Sequence, residues 1–404
     1  MIYPLNIEND NDIKRVCEKI GTDTRALAYL VPKSRMLHFY AENIDYRAAG
    51  FLKQELLARG GDVIVTKHVI DGKTETSDIL LMATASQLRS LREKLKAMDI
   101  WGIKEFREEL SRVLHNINLH EWEIVSPNGH KLTLNNQTKL MAIINLTPDS
   151  FYAGSRVNEG KILSKAEKFL SEGAAVLDIG AESTRPGSSK ITADEELERL
   201  LPGLRLLRRE FPEAIISVDT YKPEVARIAA NEGADIINDI SGFEFSQEMP
   251  EVAKISYDEG ADISGVIFSQ EMPEVISELN IPYVLSHFKT DDEPLGNIHE
   301  YFAAKLEALK LAGVKQVIID PGVGFGKNVD ENFALIKNIE SLKVFGLPIL
   351  VGHSRKRLTG PENFAGTLAV TALLSGRVSL LRVHDVKENL QALRIAEEIT
   401  NGGL

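Results

Sequence analysis

From about residue 138 to the C-terminus one pattern recurs: a short apolar run, a polar loop and a helical stretch. The runs read "LMAIIN", "AAVLDIG", "AIISVD", "ADIIND", "PYVLSH", "QVIID", "PILVGHS" and "SLLRVHD". Most are apolar without strict alternation, as strands covered on both faces of a parallel sheet are. Eight such units predict a (β/α)8, or TIM, barrel, because each crossover helix returns the chain to a parallel neighbour.

Almost every run ends in a polar or charged residue: Asn145, Asp178, Asp219, Asn238, His287, Asp320, Ser354, and the pair Arg382 and His384. One polar strand end is adequately explained as a helix cap. Eight on the C-terminal rim, where the βα-loops of a barrel meet, describe a site.

With 404 residues the chain has room for a second domain. Residues 1–120 read as a smaller α/β domain, with strands in "MLHFYAENI", "GDVIVTKHVI" and "DILLMATAS", a helix in "DYRAAGFLKQELLARG" and helical patterning from Gln87 to about His115. Residues 121–137 predict a β-hairpin turning at Asn128-Gly129 through positive backbone angles, and residues 121–404 form the barrel domain. A net charge of -12 argues against a nucleic-acid or membrane partner. The single cysteine, Cys17, excludes an intrachain disulfide, and the N-terminus lacks the pattern of a signal peptide; a cytoplasmic location is expected.

The strings "INLTPDSF", "LDIGAESTRPGS", "SVDTYKPEVA", "ADIINDISG", "IIDPGVGFGKN", "VGHSRK" and "LRVHDVKEN" resemble the strand-end signatures of the dihydropteroate synthase family, in the family's order. The resemblance implies a transferase of folate biosynthesis that condenses a dihydropterin methyl diphosphate with p-aminobenzoate and releases diphosphate, with Mg2+ as cofactor. By that likeness Asp178, Asp219, Asn238, Asp320, Lys356 and Arg382 bind the pterin, and Asp219, Asp320, Lys356 and Arg382 serve catalysis. Thr184, Arg185, Pro186, Phe325, Ser354 and Arg357 take the arylamine, while Asn145, Arg185, Arg382 and His384 take the diphosphate. Asn145 also meets the metal, and Thr147, Asp149 and Phe151 belong to a mobile loop. Family members are commonly homodimers, and the expectation extends to this chain.

Arg357 stands where the family usually has serine, His353 replaces an apolar residue, and Ser286 replaces a methionine; the last two are expected near the pterin pocket. An arginine suits a carboxylate or a larger anion, so a phosphorylated ribosyl arylamine, as in archaeal relatives making methanopterin-like cofactors, is an alternative nucleophile. A pterin-binding methyltransferase and a non-catalytic pterin-binding protein are further alternatives. "SRK" together with "RVHD" disfavours the methyltransferase, which releases no diphosphate.

One segment is duplicated: "DISGFEFSQEMPEV" begins at Asp239 and "DISGVIFSQEMPEV" at Asp262. Two copies do not make a solenoid. About residues 243–265 read as an insertion in a barrel loop, and excising Phe243 to Gly265 is expected to leave a folded, active barrel.

Overall fold

The computed structural model describes residues 1–7, 9–135, 137–146, 156–182, 190–244, 271–289, 296–360 and 363–401, without the side chains of 156–158, 271 and 401. It divides into two compact units, Met1–His115 with the residues from Ile399 onward, and Asn116–Glu398.

In the first unit, β1 (Met36–Asp45), β2 (Asp62–Ile64) and β3 (Thr76–Thr84) form an antiparallel sheet in the order β1-β3-β2. Helices Tyr46–Leu57 and Ala85–Leu95 bring Leu52, Leu56, Leu88 and Leu91 into a core with Ile79, Leu81 and Ala83. Two expectations change. The run from Gly61 to Ile70 pairs only over Asp62–Ile64, and the stretch from Gln87 to His115 is two helices, Ala85–Leu95 and Ile103–Asn116. The break lies at Trp101 and Gly102, whose φ angles of 54° and 74° no helix accommodates.

The second unit opens with the hairpin β4 (Trp122–Val125) and β5 (Lys131–Leu134). At its turn only Gly129 has positive φ, 87°, so the expected pair of left-handed residues is replaced by a three-residue loop between Ser126 and His130. Asn128 instead donates from its side chain to Ala234 O and Asp235 Oδ1, at 3.1 and 3.0 Å.

All eight predicted runs carry parallel strands: β6 (Lys139–Asn145), β7 (Val176–Gly180), β8 (Ile216–Asp219), β9 (Ile236–Asp239), β10 (Tyr283–Ser286), β11 (Val317–Asp320), β12 (Leu350–Val351) and β13 (Leu380–Val383). Their order, β11-β10-β9-β8-β7-β6-β13-β12, is closed by a parallel bridge between Ile319 and Ile349. The strands do alternate. Residues such as Leu177, Ile179, Val218, Leu285 and Ile319 join the core shared with the helices, whereas Met141, Val176, Ile236, Val284, Ile318, Leu350 and Leu380 cluster with Ile124, Leu132 and Leu134 of the hairpin. This second, interior cluster is the N-terminal layer of the barrel, and the hairpin caps it. Two residues further along most strands, the inward position becomes polar: Asp178, Asn238, Ser286, Asp320 and Arg382. Alternation was invisible in the sequence because the lower inward layer is as apolar as the outward face.

The duplicated segment leaves one clear trace. Helix Glu271–Leu279, built on the second copy, leads into β10, while residues 245–265 lie outside the described residues. Phe243, the expected first residue of the insertion, is only 2% exposed and belongs to the barrel core. Phe243 of the first copy is thus built into the barrel core at the edge of the segment read as an insertion.

Candidate active site

Register sets the first group. Asp178 on β7 lies opposite Ser217 on β8, Gly180 opposite Asp219, and Asp219 opposite Asn238 on β9. A Cβ at Gly180 would stand 3.3 Å from Asp219 Cβ, so the glycine lets the two strand ends approach. Arg382 on β13 reaches both carboxylates, with Nε 2.5 Å from Asp178 Oδ2 and Nη2 2.5 Å from Asp219 Oδ2. Asn238 Nδ2 adds a longer contact of 3.3 Å to Asp178 Oδ2. Two buried carboxylates thus share one guanidinium. Burial pushes the Asp219 carboxyl up to about 7, against the pull of Arg382 and reinforced by the nearby Asp178. The same two carboxylates, outweighing burial, hold the Arg382 guanidinium above its ordinary range.

Asp320 closes β11, 5% exposed, and accepts from Gly322 N at 2.8 Å. Burial raises its carboxyl, with Lys356 as the main opposing charge. The glycine-rich loop after Asp320 then passes under Lys356, whose Nζ donates to Val323 O and lies 3.9 Å from the Phe325 ring centroid. Burial draws the Lys356 ammonium down to about 8, against the attraction of Asp320.

On the third side, Ser354 Oγ meets His384 Nδ1 at 3.1 Å and accepts from His384 N at 3.3 Å. Burial, then Arg355 and Arg382, pulls the His384 imidazole down to about 4, so it is neutral at pH 7. Arg355 holds Asp385 through two bonds of 3.0 and 2.6 Å. Arg357 is exposed. His353 does not face the pocket as expected: its Nε2 contacts Thr371 Oγ1 at 2.8 Å and Thr367 O at 3.2 Å on helix Asn363–Leu374. Ser286 does point inward, and its buried Oγ has no partner among the described residues.

A group that sequence reasoning missed stands beside these. Lys222, 7% exposed, donates to Glu182 and, at 2.5 Å, to Glu196 Oε2. Tyr221 also donates to Glu182, at 3.1 Å. The network fastens the turn that follows Asp219 to the segment that follows β7. Its signal was Glu196, which falls in register with the buried Leu200, Leu204 and Leu207 of helix Ala193–Glu210 and so occupies an inward position where a lone carboxylate needs a partner.

Thr147, Asp149, Phe151, Thr184, Arg185 and Pro186 lie outside the described residues. Asn145 ends β6 with an exposed side chain. Among the described residues no three His, Cys, Asp or Glu side chains gather as a metal-binding cluster. Among the described residues no helix is long and apolar enough to cross a membrane.

Comparison with known proteins gives one family. The model of the family described as "Pterin binding enzyme" matches residues 141–257 and 261–384. A bifunctional dihydropteroate synthase/dihydropteroate reductase of Helicobacter pylori is 32% identical over 401 residues, covering 97% of each chain. A probable bifunctional folylpolyglutamate synthase/dihydropteroate synthase of Halobacterium salinarum is 32% identical over 374 residues; the match covers 89% of this chain but only 42% of that longer protein. Among solved structures, Xanthomonas albilineans dihydropteroate synthase with 4-aminobenzoic acid matches at 31% identity and a TM-score of 0.57, over 68% of this chain and 99% of that one.

Proposed function

Because the chain belongs to the pterin-binding enzyme family, we propose that it is a dihydropteroate synthase, joining a 6-hydroxymethyl-7,8-dihydropterin diphosphate to an arylamine with loss of diphosphate. The observation that carries this reading is the mixed rim. Asp178, Asp219 and Asp320 meet Arg382 and Lys356 around one opening, as a reaction needs when its substrate is a polar heterocycle and its leaving group an anion.

The carbon–oxygen bond between methylene and diphosphate breaks, the methylene becomes electron-poor, and the arylamine nitrogen supplies the new bond, losing a proton. Asp320 accepts from the adjacent N–H groups of the pterin's pyrimidine edge, with Asp219 and Asn238 around the ring. The carboxylates also favour positive charge at the methylene over neutral ground-state carbon. Arg382, freed in part from its two aspartates, and His384 turn donors to the diphosphate, and Lys356 bonds to the pterin. A magnesium ion, held by Asn145 and the diphosphate, would neutralise charge on the leaving oxygens. Phe325 and Ser354 serve the arylamine, and the family likeness assigns Thr184, Arg185 and Pro186 to the same substrate and Thr147, Asp149 and Phe151 to a loop over it, all six outside the described residues. Arg357, exposed and at the position where the family has its arylamine-binding serine, favours an anionic arylamine.

Purified protein, a pterin diphosphate and magnesium test this reading. Diphosphate and dihydropteroate should appear in equal amounts with p-aminobenzoate. A parallel reaction with a ribosyl-phosphate arylamine separates the two nucleophiles. No diphosphate with either amine would leave only pterin binding.

The Helicobacter relative supports a second activity, because its match covers 97% of this chain and so reaches most of residues 1–120 as well as the barrel. Reduction of the dihydropteroate product to a tetrahydropteroate is the corresponding reaction, a two-electron step whose reductant the assay supplies. Conversion of dihydropteroate to tetrahydropteroate with an added reductant, a reduced nicotinamide or a reduced flavin, tests it, and no conversion with either would remove it.

A further inference from the structure

Lys327 ends the loop that begins at Asp320, and it folds back over that loop. Its Nζ lies 3.0 Å from Gly322 O, 3.2 Å from Phe325 O and 3.1 Å from His287 O at the end of the neighbouring strand. An ammonium has three N–H donors and no acceptor. Three carbonyls therefore use it completely, whereas a neutral amine would turn its lone pair toward one of them.

The loop has little other freedom. Gly322 and Gly326 have φ of 65° and 60°, and Cβ atoms there would stand 1.9 Å from His287 O and 1.7 Å from Lys289 O. From helix Val329–Lys337, Asn332 accepts from Gly324 N at 2.6 Å and donates to Lys327 O at 3.0 Å. Lys356 Nζ also meets this loop, 3.9 Å from the Phe325 ring centroid.

We propose that Lys327 is a positioning residue: its ammonium clips the loop so that the Phe325 ring stands as a wall of the arylamine pocket, and loss of the proton releases it. The effect on the arylamine rests on the synthase reading; the clip itself does not. Burial is the largest influence on the ammonium and draws it down to about 7; Asp320 and Glu331 favour its charge, while Lys356 and Lys289 oppose it. The facing His287 imidazole is neutral, held down to about 3 by burial and by Lys327 itself.

The test uses the full chain, Lys327→Met and Lys327→Arg, the last keeping a permanent charge. Amide hydrogen exchange of residues 321–328 is followed from about pH 6.5 to about pH 9, with Lys327→Arg correcting for intrinsic exchange. Relative to that variant, the natural chain should lose about tenfold protection across the interval, and Lys327→Met should lack it throughout. The arylamine KM should rise in the same interval for the natural chain, stay low in Lys327→Arg and stay high in Lys327→Met. The KM of the pterin diphosphate should change by less than about twofold.

Equal exchange in the natural chain and Lys327→Met at the lower pH would remove the clip. A loosened loop with an unchanged arylamine KM would remove the positioning role while the synthase reading stands. A chain that makes no dihydropteroate would overturn the synthase reading and, with it, the arylamine role, and the exchange data would still decide whether the clip exists.

Discussion

The two mouths of the barrel treat buried charge differently. At the N-terminal mouth, Asp235 is fully buried and fully bonded. His130 Nδ1 and Asn128 Nδ2 lie 2.8 and 3.0 Å from Oδ1, while Arg208 Nη2 and Ile216 N lie 2.5 and 2.9 Å from Oδ2. These donors hold its carboxyl below the ordinary range although burial works against them. At the C-terminal rim, Asp219 divides a guanidinium with Asp178 and is driven upward. Ser217 Oγ and Ser286 Oγ are buried there without partners among the described residues, whereas the His287 ring turns outward onto Tyr301 and Phe302. A charge whose bonds are complete holds the fold; a set whose bonds are incomplete is organised for a ligand.

The sharpest way to break this comparison is to remove one charge from each mouth. Lys356→Ala at the rim should lower turnover by about 10³, roughly 4 kcal/mol of transition-state stabilisation, with little loss of stability, since its ammonium is held charged against burial. Asp235→Asn should do the reverse, costing about 3 kcal/mol of folding free energy while turnover per folded molecule stays within about twofold. Rate assays paired with urea unfolding read both. Near-normal turnover in Lys356→Ala would take that lysine out of the site, and a stable Asp235→Asn would make the lower network incidental.

The same contrast explains what was legible in the sequence. Polar residues ending apolar runs stand out, so Asp178, Asp219, Asn238, Asp320 and Arg382 could be placed on one rim before any coordinates. Motif order located Lys356 and His384 as well. What could not be read is which partner each charge takes. Arg382 is folded onto Asp178 and Asp219, strands distant in sequence, and nothing local specifies that. Asp235 opens its strand, where a polar residue signals nothing, and its partners come from a hairpin and a helix. His353 was misplaced because a residue just past a strand can face either the pocket or the helices, and the hydroxyl of Thr371 decides the matter from the helix side.

His353 offers the next test, since it is a buried polar group on the outward side of the barrel. Thr371 donates its hydroxyl to Asn389 Oδ1 at 2.6 Å, so it accepts from His353 Nε2 and leaves Nδ1 bare. Burial holds the imidazole down to about 4 from an ordinary 6.5. Between those values the unfolded chain binds a proton that the fold refuses. Stability is complete above pH 6.5 and falls as the pH drops toward 4, by about 3 kcal/mol from this residue. His353→Met should remove about one proton from the acid dependence of unfolding in that window. An unchanged slope in urea titrations between those pH values would show that other groups, His287 and His384 among them, carry all of it.

The smallest effect concerns the segment beside the rim that is copied. Two excisions of equal length restore the same spacing between Asp239 and His287: residues 243–265, or residues 245–267. The first joins Gly242 to Val266 and replaces Phe243-Glu244 with Val266-Ile267; the second joins Glu244 to Phe268. Phe243 N donates to Asp239 Oδ2 at 3.0 Å, and its ring lies 4.0 Å from Lys305 Nζ. Lys305, 3% exposed, also lies 3.4 Å from Glu244 and donates to Gly242 O at 2.9 Å. Position 243 has φ of 55°, which a β-branched valine adopts poorly. A smaller side chain, a lost cation–π contact and a buried lysine without its carboxylate together favour the 245–267 excision by about 2 kcal/mol. Both variants should keep synthase activity, and urea midpoints should rank them; equal midpoints would mean that Val266 and Ile267 fill the barrel site as well as Phe243 and Glu244 do.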